Sequence, residues 1–292
     1  MPYLLLILTT LFWSGNFVLS RGLHASIPPM GLSFWRWAVA LLILSPFAVQ
    51  HLWRQRELAR EHLGFITLQG LLGVTGFNSL IYLAMQSTTA INAVLVNSSM
   101  PILIVIISWL MYRERLTLRQ ILGVGLSLCG VLLIIARGRL VTLFQVDFNQ
   151  GDLYVLAAAL LWALYSVNLK RYPQGLHPLA YLSAMVMVGL VGILPLYLAE
   201  LAGGRSMVLN QTSVITVGYV ALFASVLAFI FWNRAVRAIG ANKAGPFVHL
   251  MPVFSTILAV LFLDETLTSY HLQGMVLIFS GIVMTTFRTR RP

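Results

Sequence analysis

The chain has 292 residues, of which 59% are hydrophobic and only 9% charged, and its formal net charge is +11. A soluble domain carries roughly 25% charged residues, so this chain lacks the charge to wet a water-facing surface and lipid must be its main solvent. The basic excess falls in short clusters between apolar runs, the arrangement of loops facing anionic lipid rather than of a surface that binds nucleic acid.

Crossing a bilayer takes roughly 20 apolar residues. Ten segments qualify, near 3–20, 31–50, 64–84, 90–111, 118–136, 152–171, 179–200, 214–233, 241–263 and 270–287. The expected fold is therefore an all-α integral membrane protein of ten transmembrane helices. The first run starts at Tyr3 with no basic region before it and no A-x-A-like cleavage site, and reads as an uncleaved helix. Its polar and aromatic residues Thr9, Trp13, Asn16 and Ser20 recur on one helical stripe. Arg36 is placed near the outer end of the second helix, where snorkelling to the headgroups is the expected role; the alternative is attraction of anions to the outer mouth. The third helix carries Asn78 and Tyr82 one turn apart.

In the fourth helix Pro101 has no N–H, which frees the carbonyl of Asn97, next to Ser98 and Ser99. Thr117 and Gln120 form a capping-box pattern opening the fifth helix, and Glu114 is expected to belong to that turn. Cys129, the single cysteine, is expected to be a small core residue. The sixth helix offers Trp162 and Tyr165, and the eighth Trp232 and Asn233. In the ninth, Pro252 frees the carbonyl of Val248 beside His249, which lies about 12 Å into its helix. His249 is the only ionisable residue placed well inside the core, since all eight carboxylates fall in loops or at helix ends.

Fourteen of the 19 Lys and Arg residues fall on one side of the ten-helix arrangement. The other five are Arg21, Arg36, Arg137, Arg139 and Arg205. Both termini are therefore expected in the cytoplasm, with the chain in a plasma membrane (the inner membrane of a bacterium).

The two halves of the chain repeat. Met100-Pro101 and Glu114-Arg115-Leu116-Thr117 recur as Met251-Pro252 and Glu265-Thr266-Leu267-Thr268, at an offset of 151; Gly123 and Gly130 recur as Gly274 and Gly281. Ser98 is the mate of His249 at this offset. Nearer the start the offset is 149, pairing Trp13 with Trp162, Asn16 with Tyr165 and Pro46 with Pro195. The halves are near 1–140 and 150–292. With five helices each, an odd number, the second must run through the membrane upside down, the inverted repeat of secondary transporters.

Five plus five helices, Phe12-Trp13-Ser14-Gly15-Asn16 in the first, and the closing Glu-x-Leu-Thr…Gly…Gly in both halves resemble the EamA-type exporters of the drug/metabolite transporter superfamily. The resemblance covers essentially the whole chain and is greatest to amino-acid exporters, including those for aromatic amino acids. It implies a central cavity among helices 1, 3, 4, 6, 8 and 9, with helices 5 and 10 more peripheral.

The expected function is export of small metabolites, foremost neutral or aromatic amino acids, by alternating access. With no carboxylate relay inside the spans, downhill facilitation is expected, His249 being the one site for proton coupling. The expected substrate site lies between the breaks at Pro101 and Pro252. Asn97, Ser98 and His249 supply donors, while Trp13, Asn16, Asn78, Tyr82, Trp162, Tyr165 and Trp232 form the walls. With no formal charge nearby, such a site suits a zwitterion. An intramembrane enzyme is not expected, because the chain has no H-E-x-x-H, no G-x-S-x-G and no carboxylate near His249. No cofactor or metal is expected. Exporters of other metabolites or drugs stay open, as does a nucleotide-sugar transporter of the same superfamily, though the latter would need deep Lys or Arg residues that the spans are expected to lack.

Overall fold

The computed structural model describes residues 1–23, 28–139, 141–144, 149–262 and 266–286. It is helical, built from α1 (Pro2–Leu23), α2 (Pro29–Arg54), α3 (Leu63–Ala84), α4 (Asn92–Tyr112), α5 (Leu118–Ile135), α6 (Gln150–Arg171), α7 (Pro178–Ala202), α8 (Gln211–Ile239), α9 (Ala241–Phe262) and α10 (Ser269–Thr286). Among the described residues eight of these, α2 to α9, are long and apolar enough to cross a membrane. Of the other two, α1 has 22 residues and α10 has 18, and α10 opens on the polar run Ser269-Tyr270-His271.

The distribution of polarity is inside out. Leu42, Phe47, Ile121, Val191, Ile215 and Leu261 lie on the outer surface, whereas Thr9, Ser33, Gln69, Asn78, Ser127 and Ser225 are buried. Lipid rewards that arrangement, because a polar group on its surface has no partner there. Cys129 is exposed on the outer face of α5, not in the core as expected. One turn of α5 presents Ser127 and Gly130 inward, which leaves the position between them facing out.

The most extensive contacts are α5 with α10, α2 with α7, α1 with α8 and α9, and α6 with α3 and α4. Between α5 and α10 the backbones meet at glycines. A Cβ on Gly123 would stand 2.6 Å from the Gly281 carbonyl, and one on Gly130 would stand 2.6 Å from that of Gly274. Only residues without side chains allow two helices to approach so closely.

Besides α6, which ends in the 3-10 turn Leu169–Arg171, four helices depart from α geometry. Leu71–Gly76 in α3 and Val220–Leu227 in α8 are π-helical, Ser98 and Ser99 interrupt α4, and Gly245–His249 in α9 is a 3-10 turn. Pro101 and Pro252 therefore sit just after breaks, near the start of regular helix from Met100 and Leu250. Proline is tolerated there because the first turn has no N–H acceptor to lose. The expected capping box, Thr117 with Gln120, opens α5.

Candidate functional site

Where α1, α6 and α8 meet, three tryptophans form a closed triangle. Trp13 and Trp162 cross edge to face at 5.1 Å between ring centroids; Trp232 lies 5.4 Å from Trp13 and 5.7 Å from Trp162. Phe77, Tyr165 and Phe229 extend the cluster, each within 5.3 Å of Trp162. Such contacts add about 0.5–1.5 kcal/mol per pair beyond burial. The polar edges of these rings are also used. Trp13 Nε1 donates to the Ala224 carbonyl (3.2 Å), Trp232 Nε1 to Ser166 Oγ (3.1 Å) and the Tyr165 hydroxyl to Asn233 Oδ1 (2.6 Å). Trp162 Nε1 is buried with no hydrogen-bond partner.

The second group gathers at the breaks. His249, 1% exposed, places Nε2 3.1 Å from the Ser98 carbonyl and Nδ1 2.7 Å from Ser127 Oγ. One imidazole thus joins α9 to α4 and α5. The Ser98 hydroxyl donates to the Val94 carbonyl, while the buried Asn97 Oδ1 has no partner. Ser14 Oγ reaches the Met251 carbonyl at 3.1 Å, bringing α1 to the same place.

Asn78 and Tyr82, two of the expected wall residues, make contacts that the sequence did not suggest. Asn78 turns back on its own helix, donating to the carbonyls of Gly73 (2.9 Å) and Val74 (3.2 Å) in the π-helical stretch. Asn16 is buried in α1. Tyr82 is drawn to Arg36, which is the main correction to the sequence reading. Arg36 is 3% exposed and does not snorkel. Its Nε donates to Ser225 Oγ (2.6 Å), Nη1 to the Tyr82 hydroxyl (2.9 Å) and Nη2 to the Ala224 carbonyl (2.9 Å). The inward face of α2 carries it into the bundle, because Met30, Ser33, Trp37 and Ala40 on the same side are buried too. His249 is thus not the only deep ionisable group, and the spans do hold a deep arginine.

An open cleft of about 250 Å³ lies toward one end of the bundle, lined by Ser108, Tyr112, Glu114, Ser166, Lys170, Tyr172 and Arg237 among others. Glu114 does not belong to the capping turn. Its Oε1 is 2.6 Å from Lys170 Nζ, and its Oε2 accepts from Ser108 Oγ (2.7 Å) and Asn242 Nδ2 (3.0 Å), so one carboxylate ties α4, α6 and α9 together. Partial burial raises its pKa, but the Lys170 and Ser108 hydrogen bonds outweigh this and hold it below the ordinary carboxylate value. Arg237 lies over the Tyr172 ring at 3.5 Å. None of these positions except Glu114 stood out in the sequence; opposite charges at two helix ends were the available signal. Asp264, Glu265 and the C-terminal arginines lie outside the described residues, as do the side chains of Ser20 and Arg21.

Among the described residues no cluster of His, Cys, Asp and Glu is placed to hold a metal ion. The aromatic rings pack on one another, Trp162 1% exposed and Tyr165 and Trp232 0%, and the Arg36 guanidinium and the His249 imidazole are buried on the helices that carry them.

A crystal structure with a TM-score of 0.80 at 19% identity, matched over 98% of this chain and 96% of the other, has the same fold. Curated relatives include the uncharacterized transporter YyaM of Bacillus subtilis, 25% identical over 99% of this chain and 95% of the relative. Two proteins named "Probable amino-acid metabolite efflux pump" also match. The one from Salmonella typhimurium is 28% identical over 98% of this chain and 96% of its own, and the one from Escherichia coli is 27% identical over 98% and 95%. The model of the EamA-like transporter family matches residues 1–136 and again 149–287, and the chain belongs to that family of membrane transporters.

Proposed function

We propose that this transporter exports neutral amino acids, large and aromatic ones foremost, by alternating access through a path between two inverted five-helix repeats. In this reading α1 and α10 are the first and last of ten spans, the repeats occupy 1–140 and 150–292, and both termini face the cytoplasm of a plasma membrane.

The observation that carries the reading is that equivalent residues of the two halves touch each other. Trp13 meets Trp162 edge to face, and His249 meets the Ser98 carbonyl. The glycine contacts obey the same exchange, since Gly123 with Gly281 becomes Gly274 with Gly130 under the offset of 151. Such exchanges are expected where a pseudo-two-fold axis passes, and inverted-repeat transporters place their substrate on that axis. Two relatives carry efflux-pump names for amino-acid metabolites.

The substrate site is proposed between the breaks of α4 and α9, with Trp13, Trp162, Tyr165 and Trp232 as the aromatic wall and Asn97, Ser98 and His249 as polar contacts. The cleft lined by Glu114, Lys170 and Arg237 is its cytoplasmic approach. Among the described residues Arg36 is the one buried Lys or Arg, which suits one carboxylate and leaves the two phosphates of a nucleotide sugar undercompensated, and this favours the amino-acid reading. Transport runs downhill, because no carboxylate among the described residues lies within the spans beside His249.

Competition for L-phenylalanine uptake into proteoliposomes tests this. Leucine, tryptophan and tyrosine should compete, and glutamate, lysine and a nucleotide sugar should not. Equal competition by glutamate and lysine would overturn the assignment.

A further inference from the structure

We infer that Arg36 is the carboxylate anchor of the transport path, the group that receives the acidic end of the substrate while the tryptophan cluster takes its side chain. The inference rests on the proposed amino-acid export and names the charged contact that reading lacks.

A guanidinium buried inside a span is costly, and protein interiors ordinarily offset that cost with a carboxylate. Arg36 has none within 4 Å among the described residues, as every ion pair there involves another cation. Glu200, which contacts the same helix, is committed to the N-terminus of α2, accepting from the backbone N–H groups of Met30 (3.2 Å) and Gly31 (2.7 Å). The three acceptors of Arg36 are a hydroxyl, a phenol and a carbonyl, all neutral. A guanidinium has five N–H donors. Three are used, so among the described residues one N–H on each terminal nitrogen has no acceptor, and no carboxylate there matches the charge.

Pure scaffolding does not require a charge in this position. A neutral donor would join α2 to α8 and α3 at lower desolvation cost. The charge is explained when an anion arrives, because paired N–H donors on a planar cation match a carboxylate in a two-pronged fit.

Placement supports the same conclusion. The Ala224 carbonyl accepts from both Arg36 Nη2 and Trp13 Nε1, so the cation stands one atom away from the aromatic wall. Ala224 lies in the π-helical stretch Val220–Leu227, and single π turns occur at functional sites more often than elsewhere. A ligand with a carboxylate at one end and an aromatic ring at the other spans these two groups. Tyr82 and Ser225 then act as stand-in partners that hold the guanidinium while the path is empty.

The test measures preference for L-phenylalanine over L-phenylalaninamide as competitors of L-phenylalanine counterflow in proteoliposomes at matched protein level. Wild type should prefer the acid by at least about tenfold, the usual scale of losing a charge-assisted hydrogen bond. Arg36→Gln should bring that ratio close to one, and Arg36→Lys should lower it at least threefold. If Arg36→Gln does not yield folded protein, Arg36→Lys alone decides. A folded Arg36 variant that transports with the wild-type ratio overturns the anchor and leaves the amino-acid reading intact. Wild-type protein that takes up no L-phenylalanine overturns both.

Discussion

His249 Nε2 stands 3.1 Å from the carbonyl of Ser98, the residue at its own position in the other half of the chain. That carbonyl can only accept, so Nε2 carries a proton. Nδ1 faces Ser127 Oγ, whose hydroxyl also lies 2.9 Å from the Val124 carbonyl. One hydroxyl proton can serve the imidazole or the carbonyl, so the site satisfies neutral His249 without any heavy atom moving. The imidazole therefore acts as a clasp between the broken segments of α4 and α9, the two helices that the proposed alternating access would separate.

His249→Ala should remove this clasp. Interhelical hydrogen bonds in membranes are worth roughly 0.6–2 kcal/mol each, enough for about a tenfold fall in transport rate with folded protein still recovered. Size-exclusion profile and counterflow rate, measured together, check it. A variant that transports at the wild-type rate removes His249 from the mechanism.

The glycine seam between α5 and α10 has no room for side chains. Gly123→Val and Gly281→Val should each destabilise the protein by about 1–3 kcal/mol, the usual cost of overpacking, seen as a lower melting temperature in detergent. Gly125→Val is the control, because a Cβ there meets nothing within 4 Å. Equal melting temperatures for all three would contradict the close packing.

Glu114 holds α4, α6 and α9 at the cleft through Lys170, Ser108 and Asn242. Glu114→Gln keeps the shape and removes the charge. In a Cys129→Ala background carrying Ala241→Cys at the cleft, maleimide labelling should quicken severalfold when Glu114→Gln is added. An unchanged rate would show that the carboxylate does not restrain the opening.

His177 caps α7, its Nδ1 accepting from the Leu179 N–H at 3.3 Å, and its ring stacks on His51 at 3.6 Å. Burial and the neighbouring His51 lower its pKa from 6.5. A histidine depressed in the folded state contributes stability above its unfolded pKa and loses it as the pH falls through that range. The melting temperature should therefore fall between pH 7.5 and 5.5, and less so in His177→Asn, which keeps a capping side chain. Identical pH profiles would contradict this.

Hydropathy made the spans legible, because lipid enforces long apolar helices whatever their tertiary contacts. The sequence repeat picked out Trp13 and Trp162, which touch, and Ser98 and His249, which touch, as the proposed inverted repeat would have it for equivalent positions near its axis. Arg36 was misread for a reason that position along a helix cannot reveal: which way its face turns depends on packing against α8. The bonds of Asn78 to Gly73 and Val74 were not legible, because a π turn in its own helix supplies acceptors that no α-helical pattern anticipates. The Glu114 network joins three helices far apart in sequence, and its geometry exists only once they are assembled.

The central claim is that a small neutral amino acid passes along the tryptophan cluster without an ion gradient. Proteoliposomes loaded with unlabelled L-phenylalanine, with identical pH and salts inside and out, test it by uptake of labelled L-phenylalanine. Wild type should accumulate label transiently above equilibrium by exchange, and Trp162→Ala at the same protein level should not. Accumulation only when a proton gradient is imposed, or full exchange by Trp162→Ala, would contradict the account.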